Sequence, residues 1–201
     1  MIGIVSFGLS NISSIRNAID SLKFRSFLIE EPDQVSKAEK ILLPGVGSFN
    51  EAMNRLKESG LDNALREAAS KGIPIMGICL GMQLLADKGF EGGETKGLGL
   101  IPGTVNRMND DAIKLPHMGW NNLKLEQSNK VLYQDFDGID YYFIHSYEFV
   151  ADNSENVLAT VDHGGQVTAI VSKDNVFGCQ FHPEKSQRAG LELLKSFINN
   201  A

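Results

Sequence analysis

The first half of the chain alternates short apolar runs with segments whose apolar residues recur at helical spacing, and this alternation restricts the possible folds most strongly. The apolar runs cover residues 2–7, 25–29, 40–43 and 73–78. The helical patterns between them cover residues 12–22, 50–57 and 61–70. Strands that are apolar on both faces and separated by helices indicate a parallel sheet covered on both sides. We therefore predict a three-layer α/β fold with a mostly parallel, doubly wound sheet.

The second half has a different pattern, in which short strands follow one another closely. We predict these strands at residues 124–125, 141–144, 156–161, 167–172 and 176–181. Turn residues such as the Asp-His-Gly-Gly segment at 162–165 separate them, and a final helix is predicted over 190–199. This pattern indicates an antiparallel β extension of the sheet. Since no repeat, low-complexity tract or long linker divides the sequence, residues 1–201 are expected to form a single domain.

The composition argues against several classes of protein. The 19 Lys and Arg residues against 25 Asp and Glu leave a formal charge of −6, which disfavours a nucleic-acid-binding protein. The apolar stretches are far shorter than the ~18 residues of a membrane-spanning helix, and the segment after Met1 does not resemble a signal peptide. The two cysteines are too few for a disulfide-stabilised secreted protein and are predicted to be free thiols. We expect a cytoplasmic protein that contacts neither membrane nor nucleic acid.

Cys79 is the candidate nucleophile, because it lies between a predicted buried strand and the start of a helix. Gly77 and Gly81 flank it at positions −2 and +2. This is the pattern of a nucleophile elbow, in which a strained turn with small neighbours projects the reactive side chain above the sheet. The N–H groups and dipole at a helix start favour the thiolate form. The alternative is a small buried hydrophobic residue, which is the commoner role of a single cysteine.

Two backbone segments could supply the donors of an oxyanion hole. The N–H of Leu80 follows the nucleophile directly. The Pro-Gly-Val-Gly segment at 44–47 follows another predicted strand, so in a doubly wound sheet it lies at the same edge as Cys79. Its glycines would let backbone N–H groups approach a substrate closely. The alternative for this segment is an ordinary strand-to-helix turn.

A thiol nucleophile needs a histidine as proton acceptor, and His182 is the best candidate of the four in the sequence. It ends a predicted strand, and in an extended segment its side chain and that of Glu184 lie on the same side, where the carboxylate can orient the imidazole. Cys179 is predicted to point to the opposite face, into the core. The alternative for His182 is an exposed strand-end histidine. The remaining histidines are expected in a turn (His163) and in binding loops or packed corners (His117 and His145).

These motifs occur in the order and spacing found in a known enzyme family. They are PGVG at 44–47, GICLGMQLL at 77–85 and QFHPEKS at 180–186. Together they resemble the class I, or triad, glutamine amidotransferases. Two further segments, PHMGWN at 116–121 and FIHSY at 143–147, are similar to those of the glutaminase subunits of imidazole glycerol phosphate synthases. This resemblance covers essentially the whole chain.

The resemblance implies a glutaminase mechanism. Cys79 would attack the side-chain amide carbon of L-glutamine, His182 would carry the proton to the departing ammonia, and Glu184 would orient His182. Water would then hydrolyse the γ-glutamyl thioester to glutamate. The implied oxyanion donors are Leu80 and the segment Val46 and Gly47, and the implied contacts of glutamine are Gly47, Gln83, Glu91, His145 and Ser146. The resemblance implies neither a cofactor nor a metal ion.

The resemblance also implies a partner. In this family ammonia passes to a separate synthase (cyclase) subunit, a (β/α)8 barrel, within a heterodimer. By analogy the partner-facing residues are Asn11, Met118, Trp120 and Lys185. The alternative for Trp120 is a packed core aromatic. The chain departs from the family at Ser10, where the family usually has a glycine, in a loop near the expected partner.

Three alternative functions are open. A paralogous glutaminase that supplies ammonia for the amidation of a surface-polysaccharide sugar shares all these motifs. A stand-alone cysteine hydrolase of γ-glutamyl compounds could use the same triad. A catalytically silent regulatory domain of this fold would require a missing triad member, and Cys79, His182 and Glu184 are all present.

Overall fold

The computed structural model describes residues 1–9, 11–109, 114–132 and 136–201. Its strands are β1 (Ile2–Val5), β2 (Ser26–Ile29), β3 (Lys40–Gly45), β4 (Ile75–Cys79), β5 (Lys88–Gly89), β6 (Thr95–Lys96), β7 (Gly103–Arg107), β8 (His117–Leu125), β9 (Asp140–His145), β10 (Tyr147–Ala151), β11 (Val157–Asp162), β12 (Gln166–Lys173) and β13 (Val176–Cys179). Its α-helices are α1 (Ile12–Ser21), α2 (Pro32–Val35), α3 (Phe49–Glu58), α4 (Leu61–Ser70), α5 (Leu80–Leu84) and α6 (Gln187–Asn200). Short 3-10 turns cover Ser154–Asn156 and Pro183–Lys185.

The main sheet confirms the predicted doubly wound α/β fold. Within the described ranges it contains nine strands in the order β2-β1-β3-β4-β13-β12-β11-β8-β9. The strands from β2 to β13 are parallel, and those from β13 to β9 are antiparallel. Every residue of β1 and β4 is buried, which explains why these strands are apolar throughout.

Helices cover the sheet on both faces. Neighbouring residues of β3 alternate between two apolar clusters: Leu42 packs with residues of α1 and α6, whereas Leu43 packs with residues of α3 and α4. These clusters are the two cores of a three-layer fold. No helix among the described residues is both long enough and apolar enough to cross a membrane.

The antiparallel half differs in detail from the prediction. Strand β8 begins at His117, seven residues before the predicted strand at 124–125, and β13 ends at Cys179, before the predicted end at residue 181. The segment HMGWNN at 117–122 has no β-branched residue, so its composition does not show a strand. Its pairing with β9 along the sheet holds it extended.

A second, smaller sheet was not predicted. In the described part of the chain it has the order β10-β7-β5-β6. Strands β5 and β6 contain two residues each, too few to show a period in the sequence. This sheet follows the helix after Cys79 and carries part of the wall of the candidate site.

Candidate active site

The backbone at Cys79 forms the predicted elbow between β4 and α5. Cys79 has φ +55° and ψ −112°, a conformation that is strained for a residue with a side chain. A Cβ on Gly77 would lie 2.5 Å from the carbonyl oxygen of Gly81, and a Cβ on Gly81 would lie 1.7 Å from the carbonyl oxygen of Leu43. Both positions therefore require glycine, because the backbone segments approach too closely for a side chain. The resulting turn places the Cys79 thiol at the carboxyl end of the sheet.

His182 and Glu184 form the predicted pair. The Nδ1 atom of His182 lies 2.8 Å from Oε1 of Glu184, and both side chains are almost completely buried. The local backbone is not the predicted extended segment, because Pro183–Lys185 forms a 3-10 turn. The turn, rather than strand alternation, brings the carboxylate beneath the imidazole. The second carboxylate oxygen, Oε2, has no hydrogen-bond partner among the described residues.

The charge state of His182 depends on its two neighbours. Burial by itself lowers the pKa of His182, but its hydrogen bonds with Cys79 and Glu184 outweigh burial and raise the pKa to about 9. His182 therefore carries its proton at neutral pH while it faces the sulfur. A protonated imidazole beside a nucleophilic thiol can deliver a proton to a leaving amine.

Hydrogen bonds to β9 hold the His182 segment in place. The N–H of His182 donates to the carbonyl oxygen of Tyr142 over 2.9 Å. The Ser186 hydroxyl donates to the carbonyl oxygen of His182 over 2.7 Å and accepts from the N–H of Tyr142 over 3.0 Å. Sequence reasoning missed Ser186, because its role depends on the packing of β9 against the turn.

Cys179 is completely buried in the apolar core. Burial raises the pKa of its thiol, and the neighbouring charges of Glu184 and Cys79 raise it further. Cys179 is paired with Ile78, the neighbour of Cys79, across β13 and β4, although it does not line the main cavity. A buried neutral thiol is a poor nucleophile, which leaves Cys79 as the reactive candidate.

A cavity of about 330 Å³ opens beside Cys79 and brings most of the predicted residues together. Its volume lies in the range of small-molecule sites. The residues that line it are Val46, Gly47, Cys79, Leu80, Gln83, Glu91, Ile144, His145, Ser146, Tyr147, His182 and Lys185. All five residues predicted around the substrate are in this set, and Lys185, predicted to face a partner, is there too. Sequence reasoning missed Ile144 and Tyr147.

The predicted oxyanion donors lie at this cavity, but one of them is already used. The N–H of Val46 donates to the carbonyl oxygen of Leu9 over 2.8 Å, so it is not free to bind an oxyanion in this structure. Gly47 has φ +103°, a conformation that favours glycine, and its N–H remains the loop candidate. Leu80 begins α5 and lies beside Cys79, as the elbow requires.

Gln83 joins the cavity wall to the nucleophile through Gln180. The Nε2 group of Gln83 donates to the carbonyl oxygen of Tyr147 and to Oε1 of Gln180, each over 3.0 Å. The Nε2 group of Gln180 in turn lies 3.9 Å from the sulfur of Cys79. Both hydrogens of the Gln83 amide are thus used within the protein, and its Oε1 atom is the polar atom left for a ligand. Gln180 was not predicted as a site residue.

Glu91 has a structural contact as well as a place at the cavity. Its Oε2 atom accepts a hydrogen bond of 2.8 Å from the N–H of Phe49 at the start of α3. A carboxylate at this position satisfies a backbone donor that the helix itself cannot pair. Glu91 therefore links the second sheet to the main body of the fold.

His145 and His117 are buried and neutral. Burial is the main cause that lowers the pKa of His117 to about 3 and that of His145 to about 4, and neighbouring histidines lower both further. The His163 ring stacks on His117 with a centroid distance of 4.0 Å. No three His, Cys, Asp or Glu side chains within the described ranges are arranged to hold a metal ion.

These two histidines should make the protein less stable in acid. An unfolded histidine has a pKa of about 6.5, so between pH 6.5 and 4 the unfolded chain binds protons that the folded chain excludes. We expect His145 to reduce the free energy of unfolding by about 2 kcal/mol between pH 7 and 5, and His117, which is equally buried and has a still lower pKa, to contribute a similar amount. Urea unfolding at both pH values measures this change. His117→Phe should show a weaker pH dependence, and an equal dependence would contradict the assignment.

The predicted partner-facing residues lie near the mouth of the site. Met118 and Trp120 are 58% and 46% exposed, so Trp120 is not a core aromatic. The rings of Trp120 and Tyr142 lie 6.0 Å apart, and the Lys185 ammonium lies 5.9 Å from the Tyr142 ring. Asn11 is exposed and shares a small cavity with Glu184 and Val46. Ser10, the position of the departure from the family pattern, lies outside the described residues.

Comparisons with known proteins agree with this geometry. The model of the family "Glutamine amidotransferase class-I" matches residues 4–201. The imidazole glycerol phosphate synthase subunit HisH of Moorella thermoacetica is 42% identical over 98% of this chain and 93% of its own length. The subunit HisH 1 of Campylobacter jejuni is 44% identical over 98% of this chain and 99% of its own length. The structure of PurLQS from Thermotoga maritima has the same fold, with a TM-score of 0.80, 22% identity and coverage of 98% of this chain and 97% of that one.

Proposed function

The chain belongs to the class I glutamine amidotransferases, and from this membership we propose that it is the glutaminase subunit of an imidazole glycerol phosphate synthase. Residues 1–201 would act as one glutaminase domain. The observation that carries the proposal is that Cys79 and His182 line one cavity whose size suits an amino acid, while Glu184 binds Nδ1 of His182 outside that cavity.

The triad geometry supports a two-step hydrolysis. The sulfur of Cys79 attacks the side-chain amide carbon of L-glutamine, and the N–H groups of Leu80 and of the Val46 and Gly47 segment bind the oxygen that becomes negative. His182, oriented by Glu184 at Nδ1, gives its proton to the amide nitrogen so that ammonia leaves. Water then attacks the γ-glutamyl thioester, with His182 as the base, and glutamate is released.

The cavity has the charges that a zwitterionic amino acid needs. Glu91 supplies a carboxylate and Lys185 an ammonium group to its wall, and Gln83 presents the acceptor Oε1. The acceptors suit the α-ammonium group of glutamine, and Lys185 suits its α-carboxylate. Ser146 and Gly47 complete the wall with small, polar surface next to Cys79. These residues are the proposed substrate contacts.

Ammonia must reach its acceptor before water protonates it, so a partner enzyme has to cover the site. We infer that this partner is the synthase (cyclase) subunit, a (β/α)8 barrel, and that it binds the exposed surface around Met118, Trp120 and Lys185, with Asn11 at its border. Two large apolar side chains exposed next to a catalytic cavity are typical of a protein interface. Trp120 is the expected anchor.

The experiment that tests this function is a glutamate-release assay with and without the histidine-pathway cyclase subunit from the same organism. We expect the partner to free the Val46 N–H from Leu9 and so to raise hydrolysis about 100-fold or more, because the loss of one oxyanion donor costs about that factor. Stimulation only by a sugar-amidating synthase would favour the paralogous function. Full activity of the isolated chain on γ-glutamyl compounds, unchanged by either partner, would favour a stand-alone hydrolase.

A further inference from the structure

A chain of hydrogen bonds runs to the cavity wall from β8, which lies next to the edge strand β9 in the main sheet. The side-chain amide of Asn121 lies 2.9 Å from Nε2 of His117, and Nδ1 of His117 lies 2.9 Å from Nε2 of His145. Nδ1 of His145 lies 2.9 Å from the carbonyl oxygen of Tyr147. We call these four groups the histidine chain. His117 and His145 face each other because they are paired across β8 and β9.

Backbone groups at both ends determine the direction of every bond in the histidine chain. A carbonyl oxygen only accepts, so Nδ1 of His145 must carry the hydrogen donated to Tyr147. In a neutral imidazole the other nitrogen is then an acceptor, so Nε2 of His145 accepts from Nδ1–H of His117. The amide nitrogen of Asn121 also donates to the carbonyl oxygen of Asp162 over 3.3 Å, which fixes the amide orientation. Nε2 of His117 therefore accepts from Asn121.

Packing holds His117 in this orientation. Its ring is sandwiched between Phe143, with a centroid distance of 4.7 Å, and His163, at 4.0 Å. His117 and His145 are 2% and 7% exposed. The other titratable groups whose charges reach His145 are those of His163 and His182, and burial keeps the pKa of both chain histidines low. The neutral state that the bond directions require is thus the state that the surroundings favour.

The histidine chain ends on an atom that the glutamine pocket also uses. The carbonyl oxygen of Tyr147 accepts one hydrogen bond from His145 and a second, of 3.0 Å, from Gln83. Both ring nitrogens of His145 are occupied within the protein. His145 therefore lines the cavity without a ring nitrogen to offer to glutamine, so its predicted place around the substrate would not include a hydrogen bond from the ring.

We propose that His117 is a positioning residue of the glutamine pocket, which acts through His145 and the Tyr147 carbonyl to hold Gln83 in place. The inference rests on the proposed glutaminase function, since it names what the pocket residues do for glutamine. His117 itself touches no substrate. It lies next to Met118, so the same strand carries the positioning residue on its inner side and the proposed partner surface on its outer side.

The first test measures the histidine chain itself and needs no activity. Nitrogen-15 NMR of the protein labelled only at its four histidines reports which ring nitrogen carries hydrogen. We expect both His117 and His145 to be neutral with hydrogen on Nδ1 at pH 7. A hydrogen on Nε2 of either residue would overturn the proposal, because the chain of bonds would then be broken.

The second test separates binding from chemistry. In the complex with the cyclase subunit, His117→Phe keeps the stacked ring but removes both hydrogen bonds, and leaves Nε2 of His145 buried without a donor. We expect KM for glutamine to rise about tenfold while kcat changes less than about threefold. The matched control is His163→Phe, because residue 163 stacks on His117 but does not belong to the histidine chain. This variant should change KM less than about twofold.

The outcomes distinguish this inference from the proposed function. An active wild-type complex with unchanged KM in His117→Phe would refute the positioning role alone. An equal rise of KM in His163→Phe would also refute it, since the effect would then not depend on the hydrogen bonds of the histidine chain. A wild-type complex without glutaminase activity would refute the proposed function, whereas the NMR experiment would still decide the bond directions.

Discussion

Cys79→Ala should abolish glutamine hydrolysis, with a loss of at least about 10⁴-fold in kcat, because no other described side chain at the cavity can form the thioester. Alanine fits the elbow as well as cysteine does, since the only change is the loss of the sulfur. Glutamate release by the complex with the cyclase subunit measures the loss, and mass spectrometry of the quenched wild-type enzyme detects the thioester on Cys79.

The matched control for this variant is Cys179→Ala, which removes the second thiol. Cys179 is completely buried and does not line the main cavity, so hydrolysis should persist within about tenfold in the folded variant. Turnover near the wild-type value in Cys79→Ala would show that the mechanism is wrong. Loss of the thioester in a well-folded Cys179→Ala would show that the two cysteines have been assigned the wrong roles.

Gly81→Ala should have the largest effect on stability. Its new Cβ would lie 1.7 Å from the carbonyl oxygen of Leu43, and backbone cannot move aside as a flexible side chain can. We expect the free energy of unfolding to fall by at least about 3 kcal/mol, because β3 and α5 must separate. Urea unfolding measures the change, and any protein that folds should have a displaced Cys79 and little activity.

Gly72→Ala separates the clash from the general effect of replacing a glycine. Gly72 has φ +81° and no atom within 4 Å of its would-be Cβ, so only the positive φ opposes the change. That penalty is about 1–2 kcal/mol. If both variants lost the same free energy of unfolding, the loss at Gly81 would be no larger than the penalty of an ordinary glycine replacement. That result would contradict the predicted clash between Gly81 of α5 and Leu43 of β3.

The parallel half of the fold could be predicted because each of its strands and helices shows its own pattern of apolar residues along the sequence. Strands β1 and β4 are apolar throughout since both faces are covered, and the helices between them carry one apolar stripe each. Cys79 could be placed for the same reason, because the elbow is a pattern of neighbouring residues. The second sheet could not be predicted, since its two-residue strands β5 and β6 are held by partners distant in sequence.

The features of the candidate site likewise divide into those that the sequence predicts and those that only the structure shows. The sequence by itself determined the candidate nucleophile and its glycines, the His182 and Glu184 pair, and the succession of strands and helices, because each depends on residues that are close along the chain. Only the tertiary structure decided that Val46 donates to Leu9, that Gln180 lies under the sulfur, and that His117 bonds to His145. These contacts depend on strand register and on which loops meet at the sheet edge. Both properties come from packing across the whole molecule and leave no local pattern in the sequence.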